Sequence, residues 1–250
     1  MIGANVSLYN STPATGFSLT DISGLTAWYK FNEGISTSGT TVTQWDDSSG
    51  NTRHMGNITA TNRRPEFDSS DNTIDFSTDK YLELHSSYGT DSDFPNSNEF
   101  TAFLAIRIPF NSGTTKVNPI VTGSTNDSMA VGNLSFLTGS YYSFVGNSSD
   151  QNYAHTTSTE TTYPHVNNEL FVFAVRRTGT SLQLFRNSRS NAISNTTESN
   201  TTATTDLDKL STSAVGGSNV SIAEVAIYNS GLSDSDFDAV IDDIKTRVGI

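Results

Sequence analysis

The 250-residue chain has no cysteine, two Trp and only 16% charged residues, with 14 Lys and Arg set against 26 Asp and Glu. Without thiols there is no disulfide framework, no Cys-ligated zinc, no iron–sulfur cluster and no cysteine nucleophile. A net charge of −12 argues against binding along a nucleic-acid backbone, where Lys and Arg are needed to displace counterions. Apolar runs are short, and the longest near-continuous one, Leu170 to Val175, is far too brief to cross a bilayer as a helix. What replaces charge is Ser, Thr and Asn, more than a third of the chain, so the surface is wetted by hydroxyls and amides. The length is ample for one large β domain with a substantial core.

Residues 1–20, MIGANVSLYNSTPATGFSLT, carry neither the basic start nor the apolar stretch of a secretory leader, which implies synthesis without export by that route. The segment is uncharged and holds isolated apolar side chains at Ile2, Val6, Leu8, Tyr9 and Phe17. It reads as an N-terminal arm ahead of a domain spanning 21–250. Such an arm either packs on its own domain or is held by a neighbouring molecule, and in the second case these five residues make the contact.

The body alternates short β-rich runs with turn-formers, the pattern of a sandwich or barrel. Strands are expected at Leu25–Phe31, Thr41–Trp45, Ile74–Phe76 and Tyr81–Leu84. Phe100–Ile108 puts Phe100, Ala102, Leu104, Ile106 and Ile108 on one face, with Phe103 and Ala105 on the other, so both faces are expected to be covered. Pro119–Thr122, Leu134–Leu137 and Tyr141–Val145 are shorter candidates. Glu169–Arg176 and Ser181–Phe185 flank Arg177-Thr178-Gly179-Thr180, a hairpin pattern, and Ser221–Tyr228 alternates as the last strand. The Ser/Thr/Asn stretch 187–213 fits a loop or a polar edge strand equally well.

One helix is expected. Phe237, Val240, Ile241, Ile244 and Val248 share a helical face, Ser233 and Asp236 resemble a capping box, and Leu232 with Phe237 has the spacing of a hydrophobic staple. Asp234 and Asp236 in the first turn, with Lys245 and Arg247 near the end, suit the helix dipole.

Taken in order, GLTAWYKFNEG (24–34), WDDSSGN (45–51), KYLEL (80–84), FTAFLAIRI (100–108), LFVFAVRRTGTSLQLFRN (170–187) and VGGSNVSIAEVAIYNSGLSDSDF (215–237) resemble a known family. It is the laminin-G-like branch of the concanavalin A-like lectin/glucanase superfamily. The resemblance implies an all-β, two-sheet antiparallel jelly-roll sandwich with one short C-terminal α-helix. Modules of this kind occur in secreted carbohydrate-binding proteins and in bacteriophage structural proteins, and fold membership alone does not choose among such roles.

Glucanases of that superfamily set acidic residues two apart on a strand. The nearest match, Glu66-Phe67-Asp68, is followed by Asp71 at the wrong parity, and Pro65 with the Ser69-Ser70 pair makes the segment read as a turn. No catalytic residues are assigned, no Gly-x-Ser-x-Gly elbow joins a strand to a helix, and His54, His85, His155 and His165 are too scattered to assign a metal. Calcium is the one ion considered, with Asp46, Asp47 and Asn51 as the densest oxygen cluster and Asp91 with Asp93 as another. The same residues are also ordinary turn formers. For glycan binding, Tyr142, Asn147, Asp150 and Tyr153 combine aromatic rings with amides and a carboxylate in one region.

These readings lead to an expectation of a non-catalytic virion structural protein on a phage particle surface. It would be a capsid decoration protein held by its arm to other virion proteins, such as the major capsid protein, in many copies. The alternative is a carbohydrate-binding, lectin-like module of a phage tail or fibre or of a secreted protein, with a cell-surface glycan as its partner. Neither reading involves nucleic acid or a membrane.

Overall fold

The computed structural model describes residues 16–58, 60–77, 79–90, 94–108, 117–122, 128–132, 142–147, 150–155, 168–190, 192–197, 205–210 and 220–250. Its strands are β1 (Leu25–Tyr29), β2 (Ile35–Ser38), β3 (Thr41–Trp45), β4 (Met55–Gly56), β5 (Glu66–Asp68), β6 (Thr73–Phe76) and β7 (Leu82–Leu84). They continue with β8 (Phe94–Ser97), β9 (Phe100–Arg107), β10 (Val117–Thr122), β11 (Ser128–Gly132), β12 (Tyr142–Asn147) and β13 (Asp150–His155). The last are β14 (Leu170–Thr178), β15 (Ser181–Arg186), β16 (Ala192–Thr197), β17 (Thr205–Leu207), β18 (Lys209–Leu210) and β19 (Val220–Tyr228), before helix α1 (Asp234–Val248).

All pairings are antiparallel, and one strand path runs β11-β10-β18-β7-β4-β3-β5-β6-β19-β9-β14-β15-β16. The path curls over on itself into a jelly-roll sandwich. Strands β9, β14, β15 and β19 form one layer, and β3, β4, β7 and β18, reached from β19 through β6 and β5, lie across a core of Trp45, Met55, Phe76, Leu104, Phe173, Ile227 and their neighbours. The first layer is buried on its other face too. There Phe103, Ala105, Val172, Ala174 and Phe185 meet Phe237, Val240, Ile241 and Ile244 of α1. Full coverage of β9, expected from its two apolar faces, follows from this three-layer arrangement.

Strand β19 shows how the layers are reconciled. Strict alternation would put Ile222 on one face and Val225 and Ile227 on the other. A bulge between Ile222 and Glu224 resets the register, so all three reach the sandwich core, while Ala223, Ala226 and Tyr228 turn to the helix side. The same break divides the outer edge of β19: residues 220–222 pair with β6, and 225–228 pair with β1. Thr26 Oγ1, at a second irregularity in β1, donates to the Ile227 carbonyl at 2.8 Å and fixes the join.

Helix α1 starts where the capping pattern puts it. The Ser233 hydroxyl accepts the Asp236 N–H at 3.2 Å, and Leu232 and Phe237 are both buried as the staple requires. It ends at Gly249, whose φ of 79° is the left-handed cap. The hairpin β14–β15 also forms as expected, with Gly179 at φ 56° in its two-residue turn and the Gly179 N–H bound to Glu99 Oε1 at 3.0 Å.

Several elements were not legible. Glu66–Asp68 is strand β5, not a turn: Phe67 reaches the core while β5 pairs with β6 and β3. Strands β2 and β4 were missed because each is short and anchored by partners distant in sequence or by a bulge. The polar stretch 187–213 supplies edge strand β16, together with β17 and β18. The candidate strand Leu134–Leu137 lies outside the described residues.

Candidate functional site

The four glycan-binding candidates fall in β12 and β13. Two six-residue β-rich runs, YSFVGN and DQNYAH, flank Ser148-Ser149, and Asn, Ser and Asp are turn-forming residues that suit a reversal there. The strands pair from Tyr142 opposite His155 through Phe144 opposite Tyr153 to Asn147 opposite Asp150. Tyr142 and Tyr153 therefore occupy positions of one parity on neighbouring strands, on a diagonal across the ladder. Asn147 and Asp150 form the last pair of the ladder, at the other parity. Strand β12 runs beside β11, and β13 beside β16, so the hairpin lies between the two ends of the long strand path. Residues from distant parts of the sequence thus converge around it.

Of the expected arm contacts, Ile2, Val6, Leu8 and Tyr9 lie outside the described residues. Phe17 packs, partly buried, against the helix-side cluster of its own chain. Just after it, Leu19 is fully buried, and its carbonyl accepts the Tyr228 hydroxyl at 3.1 Å. Ser18 and Asp21 cap the turn between them reciprocally.

The loop after β3 has a structural task. Asp47 is buried, and its carboxylate accepts the backbone N–H groups of Trp28 (2.9 Å), Ser49 (2.9 Å) and Arg53 (3.0 Å) and the Ser49 hydroxyl (2.8 Å). Asn51 turns its amide nitrogen to the carbonyls of Leu25 (2.9 Å) and Thr26 (3.1 Å). These two calcium candidates hold the loop onto β1, and both Asp47 oxygens are already in use. Asp46 accepts from the Gln44 amide, and His54 Nδ1 accepts the Asp47 N–H at 3.0 Å. Asp91 and Asp93 lie outside the described residues.

The acidic pair Glu66 and Asp68 lies on the side of β5 away from Phe67, with Glu66 opposite Asp75. Asp68 accepts the Ser70 hydroxyl at 2.6 Å and the Ser70 N–H at 2.8 Å, and Arg107 pairs with neighbouring Asp71. The Ser70 hydrogen bonds hold the Asp68 carboxyl below its usual range, the opposite of what a general acid needs.

A buried charge cluster escaped the sequence reading. Glu224 is fully buried beneath α1. It accepts Trp28 Nε1 at 2.7 Å, Arg247 Nη2 at 2.7 Å and Arg247 Nε at 3.1 Å. The guanidinium also pairs with Asp243 and lies 5.1 Å from the Trp28 ring centroid. At the other end of the helix, Arg176 pairs with Asp234 at 2.7 Å, and Arg189 pairs with Asp234 and Asp238 at 3.0 and 2.9 Å. The available signal was a lone Glu inside the apolar strand SIAEVAIY, which had to meet a cation on whatever covered it.

The chain superposes on solved structures over nearly its whole length. The binding domain of botulinum neurotoxin DC, in a complex with rat synaptotagmin II, gives a TM-score of 0.58 at 12% identity over 91% of this chain and 52% of that one. The same toxin domain in complex with SialylT matches at a TM-score of 0.58 and 10% identity, over 90% of this chain and 52% of that one. Trypanosoma rangeli sialidase gives 0.58 at 12% identity, covering 90% of this chain and 33% of that one. The likeness is one of fold. At these identities it shows a shared jelly-roll β-sandwich fold, and the chain spans about half the toxin domains and a third of the sialidase. No family profile and no characterised protein matches the sequence.

Proposed function

We propose that the chain is a non-catalytic, lectin-like module that binds glycan at the β12–β13 hairpin. The observation carrying this reading is the strand register. It brings Tyr142 and Tyr153 to one face of a short ladder between the two ends of the sheet path, with Asn147 and Asp150 in its last pair at the other parity. Tyr rings offer large apolar faces with a polar tip, and amides donate and accept at once, which matches the alternating hydroxyls and C–H faces of a sugar. The structural neighbours support it, since they include a toxin domain in complex with SialylT and a sialidase in complex with sialic acid. Display on a virion surface, with a capsid protein as partner, is an expectation from composition and resemblance, and the neighbours favour the glycan reading over it.

The test is affinity co-sedimentation and calorimetry of the full chain with a panel of polysaccharides. Saturable binding that falls about tenfold in Tyr142→Ala and in Tyr153→Ala, each still folded by circular dichroism, is the expected result, corresponding to ~1.4 kcal/mol per ring. Glu66→Gln and Asp68→Asn should leave binding unchanged, and the bound polysaccharide should keep its length on prolonged incubation. Absence of binding across the panel, or binding indifferent to both tyrosines, refutes the proposal.

A further inference from the structure

Outside the hairpin, we infer that a corner built on Arg63, Arg64, Lys80 and Ile58 binds an acidic, partly apolar peptide segment of a partner protein. Among the described residues these three cations have no carboxylate within ion-pair distance. Other lysines and arginines of this acidic chain, such as Lys30, Arg107, Arg189 and Lys245, each have one. The acidic residues nearest them in sequence, Glu66 and Asp79, are exposed and pair with none of the three. Two loops bring the cations together through main-chain bonds. The turn Thr61–Arg63 closes with the Arg63 N–H on the Ala60 carbonyl at 2.7 Å, and the Tyr81 N–H reaches across to the Arg63 carbonyl at 3.0 Å. Buried Asn57 ties the loops further, accepting the Ala60 N–H at 2.9 Å and donating to the Tyr81 carbonyl at 3.4 Å.

Two of the cationic side chains are positioned in advance. Arg64 Nε donates to the Asn57 carbonyl at 2.7 Å, and Lys80 Nζ donates to the Asn62 carbonyl at 2.9 Å. The terminal nitrogens of both arginines remain for a carboxylate, and a side chain already held in place loses less freedom on pairing. Like charges gathered on one corner repel, and the fold keeps these without an internal counter-ion. An apolar group stands beside them. Ile58, directly after Asn57, is 38% exposed, and the other exposed large hydrophobic among the described residues is the last residue, Ile250. Arginine forks recognise carboxylates, and an exposed aliphatic side chain gains by meeting another. A segment mixing Asp or Glu with an aliphatic residue offers both. A polysulfated chain has no group for Ile58, and an anionic membrane would be repelled by a chain of net charge −12.

The test uses the full chain and a fluorescein-labelled peptide of Glu residues flanking a central Leu, compared by anisotropy with its Gln-for-Glu counterpart. The Glu peptide is expected to bind, and more weakly as salt rises toward ~0.5 M, because the ion pairs are exposed to screening. Arg63 is exposed and its side chain makes no hydrogen bond or ion pair, so Arg63→Glu should keep the fold by circular dichroism and lower affinity about tenfold. Lys80→Gln on the second loop and Ile58→Ser should each cost about threefold. Lys30→Ala, at a lysine paired with Glu33, should change nothing. Absence of binding, equal binding of the Gln peptide, or binding indifferent to both Arg63→Glu and Lys80→Gln overturns the inference. So does tighter binding to heparin or to phosphatidylserine vesicles, or salt-sensitive self-association lost in Arg63→Glu, since each identifies a different occupant. None of these outcomes bears on glycan binding at the β12–β13 hairpin.

Discussion

Arg247→Ala is the most direct probe of what holds the helix to the sheet. The substitution leaves Glu224 fully buried with Trp28 Nε1 as its remaining hydrogen-bond donor, and it removes the cation over the Trp28 ring. Breaking a fully buried ion pair from one side costs about 3–5 kcal/mol. Because the Arg247 side chain is 21% exposed, water partly reaches the site, and about 2–3 kcal/mol is the appropriate expectation. For a domain of this size that lowers Tm by roughly 5–10 °C. Glu224→Gln keeps the shape and an acceptor for the indole while removing the buried charge, so it should cost less, about 1 kcal/mol. In Glu224→Gln/Arg247→Ala no buried carboxylate is stranded, so the double variant should be more stable than the sum of the single losses implies, with a coupling of about 1–2 kcal/mol. Urea denaturation followed by Trp fluorescence measures all four proteins, since Trp28 reports on the cluster directly. A Glu224→Gln loss equal to that of Arg247→Ala, or strict additivity in the cycle, would refute the reasoning.

Asp47→Ala strands three backbone N–H groups and unlocks the loop on β1, for an expected loss of about 2–4 kcal/mol in the same denaturation assay. Gly56→Ala drives a Cβ to 2.4 Å from the Tyr88 ring and 2.8 Å from the Thr43 carbonyl, so about 1–3 kcal/mol is lost, and Tyr88→Ala should recover the ring's share. At high pH, burial holds the hydroxyls of Tyr29 and Tyr228 protonated above their ordinary range. The folded state then binds more protons than the unfolded one, so stability is intact below about pH 10 and falls as pH rises beyond it. Tyr29→Phe should flatten that alkaline slope in a pH series of melts. At low pH the sign reverses for Asp234, held below its usual range first by the Arg176 hydrogen bond. Its contribution is present above about pH 4 and lost as pH falls further, so Asp234→Asn should show a smaller acid dependence than wild type.

Local chemistry made much of this protein readable. Helix α1 was legible from cap to staple because its signals, the Ser233 hydroxyl, the Leu232–Phe237 pair and the 3.6-residue stripe, all act within a few residues of one another. The β14–β15 hairpin and the double burial of β9 were legible for the same reason: period and turn chemistry are properties of neighbouring residues. The candidate site was legible only in part. The four residues could be grouped by composition, but their pairing needed a register, and a register is settled between strands.

What the tertiary structure alone decided has a common cause, which is partnership across long sequence separations. Strand β5 exists because Phe67 finds the core and Glu66 finds Thr41 and Asp75, and these contacts override a turn-like composition. The bulge in β19 reverses which residues face which layer, and only two packed layers make that reversal favourable. Asp47 and Asn51, which read as oxygen ligands in a list of residues, become the clamps of a loop once β1 lies beside them. Glu224 is the sharpest case. By itself it is a charge misplaced in an apolar strand, and it becomes a strut of the fold when Arg247 of α1 closes over it, more than twenty residues later in the chain.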